Sequence, residues 1–287
     1  MKIVILILVC YSNLIYGQNS NLKSETISHQ LVSAENKEYE IIVTLPPNYD
    51  KSKTYPTLYY LDAWWLEDIV KGNNTLLYRS RITQKIILVG ISTKGNELQF
   101  NEQRTLDYTP NPFDQDLMKF PLTIPIEPKA LPIDSTNSGK SIEFRRFLKD
   151  KVFAFISENY PTHKYDKGII GHSFGGLFAV HDAFSKAPLF QKHIIISPAL
   201  WWNKSQQIYL NLDNNFKNSS NSANLFICYG EFESSSIKKF TDILLKNFEE
   251  INSDRLKYHF EFYKNEDHVS ILPKSIYSGI NYFYKKE

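Results

Sequence analysis

Short apolar runs alternate along the chain with longer segments in which apolar residues recur at helical spacing. The runs have the length and the β-branched or aromatic composition of buried strands. Glycine, proline, asparagine and aspartate separate them, as turns require. The predicted strands are Ile27–Ala34, Tyr39–Leu45, PTLYYL before Asp62, KIILVGIS (85–92), GIIG (168–171), HIIIS (193–197), NLFICYG (224–230) and KYHFEFY (257–263).

Segments in which apolar residues have helical spacing follow most of these strands. In residues 142–160 the apolar positions Phe144, Phe147, Leu148 and Val152 fall on one helical face. The other predicted helices run from the third strand to about Arg79, from the glycine-rich turn onward, from 236 to 251 and from 271 to 286. Strands that alternate with helices imply right-handed crossovers and a mostly parallel sheet. The predicted fold is an α/β three-layer sandwich with helices on both faces, formed by a single domain, 18–287.

The segment from about Gly95 to Asn137 does not follow this alternation. It contains many prolines and shows no helical or strand period. A loop of such length in a compact domain usually has a function. We therefore predict an irregular insertion at about 95–137 that lies over the active site.

The stretch GIIGHSFGGLFAV places three glycines around Ser173, between a predicted strand and a predicted helix. Gly-x-Ser-x-Gly in this position is the nucleophile elbow of α/β-hydrolases. We expect glycine to be needed at 171 and 175, because side chains would collide in so tight a turn. The following helix points its N-terminus at the serine, and the backbone N–H of Phe174 is expected to bind the developing oxyanion. The pattern predicts a serine hydrolase of the α/β-hydrolase fold.

A serine nucleophile needs a histidine base and a carboxylate that orients the base. In this fold the order along the chain is serine, acid, histidine. Glu231 and Glu233 follow a buried strand at its carboxyl end, where such sheets bind ligands. Glu233 is the favoured acid, because it lies three residues past Gly230, where the loop has turned toward that edge; Glu231 is the alternative. His268 follows the last predicted strand and is the predicted base.

These residues also carry a family resemblance. The motifs LDAWW, RTLDYTP, GHSFGG, ISPALWW, YGEFE and EDHVSILPKSIYSG occur in this order between about residue 25 and the end. Together they resemble the putative esterase (esterase D-like) family of α/β-hydrolases, and most of all its enterochelin-type siderophore esterase branch. The resemblance implies a Ser-Glu/Asp-His ester hydrolase without a metal or organic cofactor. It also implies that Trp64 supplies the second oxyanion N–H. Where the family usually has Asp-Gly, this chain has Asp62-Ala63.

Two further residues are candidate substrate contacts. Arg104 in RTLDYTP either pairs with Asp107 in its own loop or contacts the substrate. In the siderophore branch this motif borders the active site, which would suit a polyanionic or carbonyl-rich ligand. Trp201 follows a strand end, and it either walls the acyl pocket or covers the core. We predict that Trp201 belongs to the pocket.

Composition and charge exclude other classes of function. The chain has 33 Lys and Arg against 31 Asp and Glu, a net charge of +2, which gives no bias toward nucleic acid. The seven histidines are scattered and no cysteine pair has the spacing of a metal site. The expected partner is a small-molecule ester, with no metal and no cofactor.

The N-terminus MKIVILILVCYSNLIYGQNSN has one lysine, an apolar run at 3–9, and then small and polar residues. This is the layout of a secretory signal peptide, and the run is too short to be a spanning helix. We expect cleavage after Gly17, so that residues 1–17 are removed and the mature chain has no integral membrane span. The predicted location is periplasmic or secreted. A lipoprotein anchor at Cys10 ranks second, because the residue before it is larger than such a site prefers.

Several functions remain open at this point. An exported serine esterase could cleave a siderophore trilactone or an acetyl or feruloyl ester of a glycan. The same three residues would also serve an acyltransferase. A non-catalytic binding protein on this scaffold would be expected to lack the serine, the histidine or the acid, and this chain has all of them.

Overall fold

A large β-sheet forms the centre of the computed structural model, which describes residues 24–93, 95–124, 130–217, 221–251 and 253–286. The strands are β1 (Thr26–Val32), β2 (Glu38–Thr44), β3 (Tyr55–Tyr60), β4 (Ile87–Thr93), β5 (Leu122–Ile124), β6 (Leu131–Ile133), β7 (Thr162–His172), β8 (Lys192–Ile196), β9 (Ala223–Gly230) and β10 (Leu256–Tyr263). Within the described ranges, eight of them form one sheet in the order β1-β2-β4-β3-β7-β8-β9-β10. Strand β2 pairs antiparallel with β1 and β4, and the other pairs are parallel. The prediction of a mostly parallel sheet is confirmed.

Helices cover both faces of this sheet. They are α1 (Ala63–Arg79), α2 (Glu97–Tyr108), α3 (Gln115–Met118), α4 (Ser141–Phe147), α5 (Phe153–Asn159), α6 (Phe174–Ala183), α7 (Gln206–Asn211), α8 (Ser235–Ile251) and α9 (Leu272–Tyr284). A π-helical turn, Leu148–Val152, joins α4 to α5, so the helix predicted at 142–160 is continuous. A 3₁₀ turn precedes α7 and a π-helical segment, Leu212–Lys217, follows it.

Alternate strand residues face two separate hydrophobic cores, as the period of a strand requires. Leu58 and Ile170 point to the core under α1 and α9. These two helices contribute Leu66 and Ile276 to that core. Their neighbours along the strands face the other core, and that core includes apolar side chains of α4, α5, α6 and α8. Each fully buried Leu or Ile stabilises such a core by about 1.5–3 kcal/mol. These two layers of helices fix the carboxyl ends of β3, β7, β9 and β10, where the candidate site residues lie.

The prediction of an irregular segment at 95–137 is wrong for its first part. Helix α2 spans Glu97–Tyr108 and starts with a capping box, in which Asn96 and Gln99 each accept a hydrogen bond from the other's backbone N–H. Its buried residues include Arg104, Thr105 and Asp107. Because this buried face is largely polar, the segment has no apolar helical period. The rest of the segment contains α3 and the antiparallel hairpin of β5 and β6.

Candidate active site

Ser173 occupies a sharp turn between β7 and α6. Its backbone has φ 57° and ψ −115°, a strained conformation for a residue with a side chain. The turn is held by Ser173 N–H, which donates to the Ile196 carbonyl oxygen (3.0 Å), and by the Ser173 carbonyl, which accepts from Leu177 and Ala199 N–H. This is the backbone geometry of a nucleophile elbow. Sequence reasoning anticipated it from the glycines and the flanking strand and helix.

The glycines around the serine have different roles. A Cβ at Gly171 would lie 2.1 Å from the carbonyl oxygen of Gly175, so only glycine fits there. A Cβ at Gly175 would meet nothing closer than Asp62 Oδ2 at 3.5 Å, an ordinary contact. The predicted need for glycine at 175 is therefore wrong on steric grounds. Gly176 is the second tight position, since a Cβ there would lie 3.0 Å from Pro198 Cα.

His268 and Glu233 are in direct contact. Nδ1 of His268 lies 2.8 Å from Oε1 of Glu233, and the carboxylate is buried while the imidazole is partly exposed. Glu233 lies in the turn after β9. In this turn the N–H of Phe232 donates to the Glu266 carbonyl (2.9 Å), and the N–H of Glu233 donates to the Gly230 carbonyl (3.2 Å). A carboxylate on Nδ1 fixes the imidazole tautomer and leaves Nε2 unprotonated, as a general base requires.

Glu231, the alternative acid, has another partner. Its Oε2 accepts a hydrogen bond from the backbone N–H of Asn265 at 2.9 Å. Asp267 supports the same loop from within, because its carboxylate accepts from the N–H groups of Val269 and Ser270. The Ser270 and Val269 hydrogen bonds lower the pKa of Asp267 below its ordinary value. Of the two glutamates, the structure brings Glu233 to His268, and Glu231 to the loop that carries it.

His172 is a site residue that sequence reasoning missed. Its buried imidazole lies with Nε2 2.8 Å from the carbonyl oxygen of His268, so Nε2–H donates to that carbonyl. Burial, followed by the charges of His268 and Arg104, holds the pKa of His172 well below its ordinary value. The neutral ring therefore supports the backbone of His268. The available signal was its position at the last residue of a buried parallel strand, next to Ser173.

A cavity of about 320 Å³ joins these groups. Its lining comprises Trp64, Trp65, Glu97, Phe100, Asn101, Arg104, His172, Ser173, His268 and Val269. The Trp64 and Phe100 rings stack with centroids 5.0 Å apart. Ser173 and His268 thus share one cavity, although Ser173 Oγ makes no hydrogen bond to the residues that the structure describes. Trp201 is not part of this lining, and its ring packs 6.0 Å from that of Phe174.

The two expected oxyanion donors both lie in the first turn of a helix. Phe174 is the first residue of α6 and Trp64 the second residue of α1. Across the described ranges, neither backbone N–H donates to a protein acceptor. Asp62 rather than Ala63 takes the left-handed conformation, with φ 56°, and Ala63 begins the helix. The Asp-Ala sequence therefore imposes no strain at the alanine.

Arg104 pairs with Asp62, so the alternative of a pair with Asp107 in its own loop is wrong. Its Nε and Nη2 donate to the two carboxylate oxygens of Asp62, both at 2.9 Å. Burial opposes the charge of Arg104, but the Asp62 carboxylate raises its pKa. Asp107 instead accepts hydrogen bonds from Tyr39 (2.8 Å), Gln103 (2.8 Å) and Lys37 (3.2 Å).

Two other expectations concern membranes and metals. In the described part of the chain, no helix is long and apolar enough to cross a membrane. The same residues contain no group of three or more His, Cys, Asp or Glu that could hold a metal ion. The predicted signal peptide, 1–17, and the alternative anchor at Cys10 lie outside the described residues.

Comparison with known proteins identifies the family. Residues 33–123 and 126–237, well over half of the chain, match the family described as Putative esterase. Ferri-bacillibactin esterase BesA of Bacillus subtilis (strain 168) is 26% identical over 253 residues, which cover 83% of this chain and 82% of that protein. The crystal structure of the BES protein from Bacillus cereus has a TM-score of 0.77 and 25% identity, and covers 91% of this chain and 97% of its own. An IroE-like serine hydrolase from Shewanella oneidensis has the same fold, with a TM-score of 0.75, 22% identity, and coverage of 91% and 80%. The chain therefore belongs to the Putative esterase family of α/β-hydrolases and is a carboxylic-ester hydrolase.

Proposed function

We propose that the protein is an exported serine esterase in which Ser173, His268 and Glu233 form the catalytic triad. The observation that carries this proposal is the 2.8 Å contact between His268 Nδ1 and Glu233, at a cavity that Ser173 also lines. The hydroxyl of a serine is a weak nucleophile unless a base removes its proton. A short approach of the His268 ring to Ser173 Oγ on substrate binding completes the arrangement, since such contacts are often loose without a ligand.

The reaction follows from these positions. Ser173 Oγ attacks the ester carbonyl carbon and its proton passes to Nε2 of His268, while Glu233 stabilises the imidazolium. The carbonyl oxygen becomes an oxyanion, which accepts hydrogen bonds from the N–H groups of Phe174 and Trp64. The carbon–oxygen bond then breaks, and His268 returns the proton to the departing alcohol. Water then attacks the acyl-enzyme, again with His268 as the base. This step releases the carboxylic acid product and regenerates the free Ser173 hydroxyl.

We propose a siderophore ester as the substrate. The named activity of the relative BesA supports this choice. In the cavity wall, Trp64, Trp65 and Phe100 suit an aromatic group on the substrate, whether that of a siderophore or of a feruloyl ester. Nη1 of Arg104 has no hydrogen-bond partner among the described residues, and we propose that it contacts a carbonyl or anionic oxygen of the substrate.

The experiment is a hydrolysis panel with the purified protein. It compares 4-nitrophenyl esters, ferric siderophore lactones and feruloylated or acetylated sugars, each with and without an alcohol acceptor. Preference for the siderophore lactone supports the proposal. Preference for a sugar ester indicates a carbohydrate acyl esterase, and transfer to the alcohol indicates an acyltransferase.

Ser173→Ala tests the chemistry independently of the substrate. A fluorophosphonate should label the wild-type protein at Ser173, and the variant should be neither labelled nor active. Ser157→Ala is the matched control, because the Ser157 hydroxyl lies exposed on α5 and, among the described residues, bonds only to the Ala154 carbonyl. More than a few per cent of wild-type kcat/KM in Ser173→Ala would remove the serine from the mechanism. A protein that binds the siderophore but neither reacts with the phosphonate nor hydrolyses any ester would be a binding protein on this scaffold.

The proposal of export rests on residues 1–17, which have the layout of a signal peptide. We propose that 18–287 is the mature chain and forms a single domain. Mass spectrometry of the protein from its native source should give an N-terminus close to Gln18. An intact Met1, or a lipid on Cys10, would contradict export as a soluble protein.

A further inference from the structure

One guanidinium connects the two segments that carry the proposed oxyanion donors. Arg104 on α2 makes a two-pronged contact with Asp62, two residues before Trp64. On its other side the guanidinium carbon lies 5.4 Å from the ring centroid of Phe174. Phe174 supplies the first donor and Trp64 the second. The relative position of the two N–H groups therefore depends on a residue that belongs to neither segment.

The segment before Trp64 needs such support. Asp62 has φ 56° and ψ 36°, a left-handed conformation that costs free energy in any residue with a side chain. Its carbonyl accepts from the N–H groups of Trp65 and Leu66 in α1 itself. Two contacts from another element also hold it: the pair with Arg104, and its own N–H, which donates to Tyr108 Oη at 3.3 Å. Both partners lie on α2. This helix thus orients the start of α1, where the Trp64 N–H lies.

Asp62 also places a buried negative charge close to the proposed oxyanion site. Its Oδ2 lies 3.5 Å from the position that a Cβ of Gly175 would take, so the carboxylate faces the first turn of α6. An unpaired buried anion there would repel the oxyanion that forms on the ester carbonyl. The Asp62 side chain is fully buried and that of Arg104 is only 10% exposed, so water screens this charge poorly. The arginine compensates the carboxylate beside the site where negative charge develops.

We propose that Arg104 is a positioning residue of the oxyanion hole, acting through Asp62 and the Phe174 ring. This role rests on the proposed serine esterase function and is separate from any contact of Nη1 with substrate. It predicts a loss of kcat on every ester, including small neutral ones that offer no group for the guanidinium to bind. A residue that only binds substrate would change KM, and would do so only for substrates that reach it.

The chain contains a matched pair for the control. Arg145 and Asp182 form a second buried arginine–aspartate contact, with side-chain exposures of 14% and 0%. Asp182 lies near the end of α6 opposite to Ser173, and neither residue lines the cavity described above. Lysine at position 104 or 145 keeps the charge but loses the planar guanidinium, which at 104 contacts both oxygens of Asp62 and at 145 contacts Asp182, the Ser185 hydroxyl and the Ala187 carbonyl. The two lysine variants therefore lose similar contacts at different distances from the reaction.

The experiment measures kcat and KM for 4-nitrophenyl acetate, with thermal unfolding of each variant. Arg104→Lys should lower kcat about 10–100-fold and Arg104→Met about 10²–10³-fold, the loss typical of one oxyanion donor, with KM changed less than about threefold. The double variant Arg104→Met/Asp62→Asn should be no slower than Arg104→Met, because it removes the unpaired charge. Arg145→Lys should keep kcat within about threefold of wild type, whatever its effect on the unfolding temperature.

Three results would overturn the role. Full kcat in Arg104→Lys and Arg104→Met would show that the oxyanion hole does not need Arg104, and a raised KM beside that full kcat would make it a substrate contact only. Losses that multiply in the double variant would show that Arg104 does not act through Asp62. A wild-type protein that hydrolyses no ester would end the serine esterase proposal, and this role with it. The first two results leave that proposal intact, so the failures are distinguishable.

Discussion

The imidazoles of His172 and His268 lie side by side, with ring centroids 4.4 Å apart, and His172 Nε2–H donates to the His268 carbonyl. The residue before the proposed nucleophile therefore holds the backbone of the proposed base. Serine and histidine come from distant parts of the chain, and this hydrogen bond links the two parts directly. The hydrogen bond needs a proton on Nε2, and burial keeps the rest of the ring neutral by lowering the pKa of His172.

Replacing His172 by phenylalanine should impair catalysis while the ring volume is kept. The His268 carbonyl would lose its donor, which costs about 1–3 kcal/mol for a buried group, and the base would shift. We expect kcat/KM for 4-nitrophenyl acetate to fall about 10–100-fold. His259→Phe, at a partly exposed position on β10, is the control. Wild-type kcat/KM in His172→Phe would show that the base needs no such support.

The two glutamates after β9 should respond very differently to amide substitution. Glu233→Gln keeps the shape but favours the wrong tautomer of His268, so kcat should fall about 10⁴-fold, as in the equivalent change in a serine protease. Glu231→Gln keeps an oxygen that can accept from Asn265 N–H, and should cost less than about tenfold. Both are measured on one activated ester. A crippled Glu231→Gln would move the acid to Glu231, and two active variants would indicate a Ser-His dyad.

Alanine substitutions at Gly171 and Gly175 should show which of the two positions requires glycine for steric reasons. Gly171→Ala places a Cβ 2.1 Å from a backbone oxygen, so we expect insoluble protein or an unfolding temperature lowered by more than about 10 °C. Gly175→Ala meets only ordinary contacts and removes a helical glycine, which favours folding by up to about 1 kcal/mol. Its unfolding temperature should be equal or higher. Equal stability of the two variants would contradict the described turn.

Stability should fall in mild acid because of buried neutral histidines. Burial lowers the pKa of His181 to about 4, and that of His172 well below its ordinary value. The unfolded chain binds protons at these residues below about pH 6.5, whereas the folded protein does not. Each residue therefore contributes stability that is present above about pH 6.5 and is lost, at about 1.4 kcal/mol per pH unit, as the pH falls toward its folded pKa.

Urea unfolding at pH 7.5, 6 and 5 measures this effect. The free energy of unfolding should decrease between pH 6 and 5, and His181→Gln should flatten that decrease, since glutamine does not titrate. An unchanged slope in the variant would show that His181 is protonated in the folded protein as readily as in the unfolded chain.

Local patterns were enough to predict the elbow at Ser173 and the alternation of strands and helices, because turn chemistry and apolar period depend on neighbouring residues. Helix α2 escaped this reasoning, since its buried face carries Arg104 and Asp107 in place of apolar residues. The partner of Arg104 could not be read from the chain either. Asp107 is three positions away and Asp62 forty-two, and only the packing of α2 against the start of α1 brings the second one close.

The choice between Glu231 and Glu233 shows the same limit at shorter range. Both follow a buried strand, and only the point at which the loop turns favours Glu233 over Glu231 in the sequence. The contact with His268 agrees with that preference, and its role in catalysis stays a prediction. For His172 the chain offers only the position next to Ser173 as a signal, because its partner is a backbone carbonyl nearly a hundred residues away.

Apart from the turn between β7 and α6 that carries Ser173, the cavity lies between two sets of elements that do not share a loop. The proposed acid and base come from the turns after β9 and β10, which contact each other through Phe232, Glu231 and Gly230. The facing aromatic wall comes from α1 and α2, where Trp64 and Phe100 stack. Changes of ring size at Phe100 can therefore alter which acyl groups fit without moving the proton-transfer pair. An enzyme so divided can shift its substrate range by substitutions on one wall while the chemistry on the other is preserved.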